Sequence, residues 1–112
     1  MLKQITEQYV LAFNNRDLAA IERMLANNFS LEDPVVKRVE GKGPALEAIA
    51  KIFVGCRSLA FVSKGVYVDG NTSLIEFSLD LDSTHINGVD VIVWKGELME
   101  SMRAYLNLPG VE

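Results

Sequence analysis

Cysteine is almost missing from this chain. Cys56 stands alone, so no intrachain disulfide can form and no cysteine-based zinc cluster is plausible. It reads as a small, half-buried residue. Histidine is as scarce: the single His85 lies in a Ser-Thr-His-Ile-Asn segment that reads as a solvated turn. There is no basic run, and a net charge of -4 argues against a phosphate-binding surface or a nucleic-acid partner. Long hydrophobic runs are absent too. Val91-Ile92-Val93-Trp94 is far too short to span a bilayer. Met1-Leu2-Lys3-Gln4 leads straight into an amphipathic pattern, without the apolar core of a secretory leader. A cytoplasmic protein with no membrane association is therefore expected.

What remains is an ordinary globular composition in 112 residues, room for one core and hence one domain over 1–112. Leu2, Ile5, Tyr9 and Phe13 recur at three- and four-residue steps and predict a first helix, with Val10 and Ala12 widening its stripe. Asp17 is a good N-cap for a second helix, which carries Leu18, Ile21, Met24 and Leu25 inward and stops at Asn27-Asn28. A strand follows over Phe29 to Asp33, ended by Pro34. Residues 35–44 read as a charged loop, with too few glycines and no preceding strand for a phosphate cradle. A third helix runs from about Ala45 to Phe53.

From Ser58 onward the period falls to two. Leu59 to Val62 and Val66 to Val68 form one or two strands, and Asp69-Gly70-Asn71 is a tight-turn signal. Ser73 to Asp82 alternates, with Ile75, Phe77, Leu79 and Leu81 on one face. Asn87-Gly88 reads as a turn, Val89 to Trp94 as a strand, Lys95-Gly96 as a turn and Leu98 to Leu106 as the last strand. Helices first and strands last predict an α+β fold. Three N-terminal helices would pack on a strongly curved mixed or antiparallel sheet, forming a cone around an apolar pocket.

Three polar residues sit in apolar company. Phe29, Leu31 and Asp33 share one face of their strand, so a carboxylate points where the core residues point. An ionised group there is costly unless it is paired, hydrogen-bonded or held for chemistry. Asp90 lies in Val89-Asp90-Val91-Ile92-Val93-Trp94, where both faces are apolar and no Lys or Arg lies on the strand. Desolvation raises such a carboxyl's pKa, and a neutral carboxyl can donate a hydrogen bond. Tyr9 shares its helix stripe with Ile5 and Phe13, so its buried hydroxyl needs a partner. Each has a plainer reading. Tyr9 can be a core residue, Asp90 can pair with Arg103, and Asp33 can be a strand-end residue before Pro34.

On these residues the chain resembles the SnoaL-like branch of the NTF2-like superfamily, and within it the ketosteroid isomerases. The resemblance runs through Tyr9, Asp17-Leu18-Ala19-Ala20-Ile21, Leu31-Glu32-Asp33-Pro34, Val89-Asp90-Val91-Ile92 and Met102-Arg103-Ala104-Tyr105, nearly the whole length. It implies Asp33 as general base, with Tyr9 and a protonated Asp90 as the two donors to the substrate oxygen. The implied reaction moves a proton next to a carbonyl in a small apolar molecule and needs no metal or organic cofactor. Phe13, Leu31, Phe53, Ile92, Trp94, Met102 and Leu106 are the expected pocket lining, and a homodimer through the sheet is the expected assembly.

The chain departs from the isomerase pattern in several places, among them a third helix with Phe53 but no tyrosine and a Lys95-Gly96 turn one residue shorter than expected. Leu25 stands where some isomerases have a supporting tyrosine, and Leu106 where many members have a tryptophan. Alternatives within the superfamily are a polyketide-cyclase or hydrolase type of relative. An Asp-Arg-Asp relay of the limonene-epoxide-hydrolase kind would draw its arginine from Arg103. Chemistry like that of scytalone dehydratase needs inward histidines, which His85 does not supply. From a different class, the domain would be a non-catalytic ligand-binding or dimerisation module.

Overall fold

The computed structural model describes residues 1–108. Helix α1 (Leu2–Asn14) buries Tyr9 and Phe13 together with Thr6, Val10 and Ala12. Asp17 caps α2 (Leu18–Met24), its side chain accepting the Ala20 N–H at 3.1 Å. The helix ends there. Leu25 to Asn28, expected as its last turn, belong instead to strand β1 (Leu25–Asp33). Leu25 pairs with Met99 of the last strand, and the register shifts before Ser30 meets Ser101, so the two asparagines occupy an irregularity in a strand.

The charged segment 35–44 is largely ordered as well. Lys37–Glu40 forms β2, an edge strand antiparallel to β1, with Asp33 opposite Lys37 and Ser30 opposite Glu40. Helix α3 spans Lys42–Val54, starting earlier than Ala45 because Pro44 fits a first helical turn. It buries Ala45, Ile49 and Phe53.

Four long strands complete the sheet: β3 (Leu59–Asp69), β4 (Thr72–Leu81), β5 (Thr84–Lys95) and β6 (Leu98–Asn107). The order across the sheet is β2-β1-β6-β5-β4-β3, with β1 and β6 parallel and every other pair antiparallel. Gly70 and Gly96 turn two of the hairpins at positive φ, as their dipeptides predict. Asn87-Gly88 does not turn. Both residues lie inside β5, and Gly88 is there because a Cβ would stand 2.6 Å from the Tyr105 carbonyl and 2.8 Å from the Phe77 ring. The chain reverses instead at Asp82-Ser83, with Asp82 at φ 55°.

One sheet face carries the core. Ile75, Phe77 and Leu79 on β4 point to the same side as Ile86, Asp90, Ile92 and Trp94 on β5 and Met102 on β6. Helix α1 packs over β3 and β4, and α3 over β1 and β2, on that same side. Among the described residues no helix or strand packs on the opposite face. No described helix is long and apolar enough to cross a membrane.

Candidate active site

Between the helices and the sheet lies a cavity of about 170 Å³. Tyr9 from α1, Asp33 from β1 and Asp90 from β5 all line it. Around them the wall is apolar. Three distant segments of sequence therefore bring their one polar side chain each to a common space.

Asp33 ends β1 on the face of Phe29 and Leu31, half-buried at the cavity rim. Its Oδ1 accepts the N–H groups of Val35 and Val36, both at 2.7 Å. This is the strand-end role open to any Asp before a Pro turn. Both bonds fall on one oxygen, and among the described residues Oδ2 has no hydrogen-bond partner. Neither nearby cation neutralises it. Lys37 donates to the Pro34 carbonyl, and Arg38 pairs with Glu32 and Glu40 on the exposed edge.

Asp90 is buried, and among the described residues its carboxyl makes no hydrogen bond and no ion pair. Burial, with the charge of Asp33 as the second cause, pushes its pKa from 3.8 up to about 7. Pairing with Arg103 does not occur. Ala104 lies opposite Asp90 and faces the cavity, whereas Arg103 lies opposite Val91 and points to the other side of the sheet. Its Nε donates to the Tyr105 hydroxyl at 3.4 Å.

The Tyr9 ring is buried among Phe13 and Phe61, at centroid distances of 6.1 and 6.4 Å. Its hydroxyl donates to Met102 Sδ at 3.9 Å, a weak acceptor that a ligand oxygen would outcompete. Burial first, and then the nearby Asp90, raise the phenol pKa well above its ordinary value. The hydroxyl therefore keeps its proton.

Of the expected lining residues, Phe13, Leu31, Met102 and Leu106 face the cavity. Phe53, Ile92 and Trp94 do not. Phe53 sits behind Phe13, edge-on at 5.1 Å. Ile92 and Trp94 continue the inward face of β5 past the cavity into solid core, where Trp94 Nε1 donates to Ser73 Oγ at 2.8 Å and Ser73 in turn bonds Thr6. Ile49, Phe61, Phe77 and Met99, which are not among the expected lining residues, also form the wall. The alternation on β4 and the α3 stripe carry the signal for Phe77 and Ile49. His85 is exposed and pairs with Asp80 at 2.6 Å, remote from this site. Among the described residues no cluster of His, Cys, Asp or Glu could hold a metal ion.

Helices on one face of an open, six-stranded mixed sheet, with a cavity between them, define an NTF2-like fold. The family model for the SnoaL-like domain matches residues 6–102, and the chain belongs to that family. No curated protein matches the sequence. Among solved structures, a proposed ketosteroid isomerase from Kribbella flavida superposes with a TM-score of 0.85 at 15% identity, covering 98% of this chain and 80% of that one. An LEH-like epoxide hydrolase from M. tuberculosis gives 0.78 at 16% identity over 94% and 81% of the two chains. A proposed SnoaL-like polyketide cyclase from Jannaschia sp. gives 0.78 at 15% identity over 94% and 87%. At such identities the likeness establishes the fold, shared by proteins assigned different reactions.

Proposed function

We propose that this protein is an isomerase-like enzyme that moves a proton next to the carbonyl of a small apolar compound. One observation carries the reading: Tyr9, Asp33 and Asp90 line a single apolar cavity, and among the described residues no cation pairs with either carboxyl. Asp33, through the unoccupied Oδ2, takes a proton from the carbon beside the carbonyl. The C–H electron pair passes into the adjacent carbon–carbon bond, and negative charge gathers on the carbonyl oxygen. The Tyr9 hydroxyl and the protonated Asp90 carboxyl donate to that oxygen. Asp33 then returns the proton two carbons further along, so atoms and electrons balance without a co-reactant.

A positioned base contributes roughly 10²–10⁴-fold, and each oxyanion donor about 3 kcal/mol. The outward Arg103 disfavours an Asp-Arg-Asp hydrolase relay. The test is a conjugation-absorbance assay on β,γ-unsaturated ketones, comparing the protein with its Asp33→Asn variant. Equal rates would leave a ligand-binding module as the reading. The proposal includes a second copy of the chain as partner. The bare outer sheet face carries Val62, Tyr67 and Tyr105, all more than half exposed, beside half-buried Val89, Val91 and Val93.

A further inference from the structure

We infer that the substrate is a single-ring or comparably small ketone, and that fused polycyclic ketones such as steroids are not accommodated. The inference rests on the isomerase reading for its carbonyl, but its size limit comes from the cavity alone. That cavity measures about 170 Å³. An engineered protein cavity of about 150 Å³ lined by Leu, Ile and Phe admits benzene, whereas drug-sized ligands occupy roughly 300–1,000 Å³. One six-membered ring with its oxygen fills the space available here.

The walls have little room to give. Tyr9, Phe13, Phe61 and Phe77 form a chain of neighbouring rings, with successive centroids 4.9 to 6.1 Å apart, and Phe53 backs Phe13. Leu25 and Met99 close another side and are themselves almost wholly buried. Packed interiors of this kind resist expansion. Gly88 adds to the tightness, because the Phe77 ring and the Leu106 side chain both lie across its backbone.

The most exposed part of the lining lies at its mouth, where the exposed Val35 and half-buried Val36 border the cavity. Asp33 fixes that rim through its two bonds to their N–H groups. Tyr9 and Asp90 are buried and Asp33 is at the rim, so the carbonyl enters first and any substituent trails outward. Further fused rings would lie outside the cavity, in water.

The experiment uses the intact protein with labelled methionine methyls. Met99 and Met102 line the cavity, and Met1 and Met24 serve as controls outside it. Cyclohexanone and a four-ring steroid ketone are titrated separately. Cyclohex-3-enone conversion to the conjugated isomer is followed by absorbance in the wild type and in Asp33→Asn. The expected result is that cyclohexanone shifts Met99 and Met102 selectively and binds at least as tightly as the steroid, and that the wild type conjugates cyclohex-3-enone at least a hundredfold faster than the variant. Tighter binding of the steroid, or no selective shift with cyclohexanone, overturns the size inference. Selective cyclohexanone binding without conjugation leaves the size inference standing and removes the isomerase reading.

Discussion

At the scale of the residue, the two aspartates divide the work that burial makes possible. Asp33 Oδ1 holds the β1–β2 turn, and Oδ2, without a partner among the described residues, is the atom proposed to move the proton. Asparagine can keep the first role and not the second. Asp33→Asn should therefore lose activity by roughly 10²–10⁴-fold with nearly unchanged urea stability. Asp33→Ala should lose the same activity and about 2 kcal/mol of stability besides, because the Val35 and Val36 N–H groups lose their acceptor. Asp90 is the opposite case, a residue whose charge the fold opposes. Its folded pKa of about 7 lies above the 3.8 of an unburied carboxyl, so folding takes up a proton between those values. The cost is absent below about pH 4, grows to about pH 7 and is constant above it, reaching roughly 4 kcal/mol. Asp90→Asn should match the wild type in denaturation at pH 4 and exceed it by about that amount at pH 8. Activity of the wild type should fall as pH rises through about 7, when the donor proton is lost, and a pH–rate profile reads this directly.

At the scale of the element, how much the sequence reveals depends on whether a segment's neighbours force a pattern onto it. Phe29, Leu31 and Asp33 alternate because one face of β1 meets the core, and that alternation was enough to find the candidate base. Lys37-Arg38-Val39-Glu40 shows no such alternation because β2 is an edge strand largely open to water, and it reads as a loop until its pairing with β1 is seen. Asn87-Gly88 misleads for a different reason. The dipeptide usually marks a turn, yet here glycine answers a close approach by Phe77 and the Tyr105 carbonyl, which only the assembled sheet contains. The alternation puts Ile92 and Trp94 on the correct face of β5, but strand periodicity gives facing and not depth. The helices are tied down by contacts of equally long range. Arg16 donates to the carbonyls of Phe53, Cys56 and Arg57, joining the end of α1 to the end of α3. Arg16→Ala should cost about 3 kcal/mol in chemical denaturation, and Arg16→Lys about half of that, because lysine restores the charge without the planar fork.

At the scale of the whole molecule, the helices cover one face of the sheet and, among the described residues, leave the other bare, which gives the proposed chemistry one side and the proposed association the other. In the proposed dimer, a two-fold pairing of identical outer faces would bury Val89, Val91 and Val93 of both copies. Sedimentation should report a dimer, and Val91→Arg should give a monomer whose cavity still binds its ligand. The parallel pairing of β1 with β6 has a further consequence, in the order of assembly. Ser30 meets Ser101 and Leu31 meets Met102, partners roughly seventy residues apart, whereas β3 to β6 join through short local hairpins. The meander can form by nearest-neighbour steps, but β1 has no inner neighbour until the last strand is in place. The proposed base Asp33 and the proposed donor Asp90 thus meet only at the close of folding, and a chain still emerging from the ribosome short of β6 carries Tyr9, Asp33 and Asp90 without the cavity that joins them.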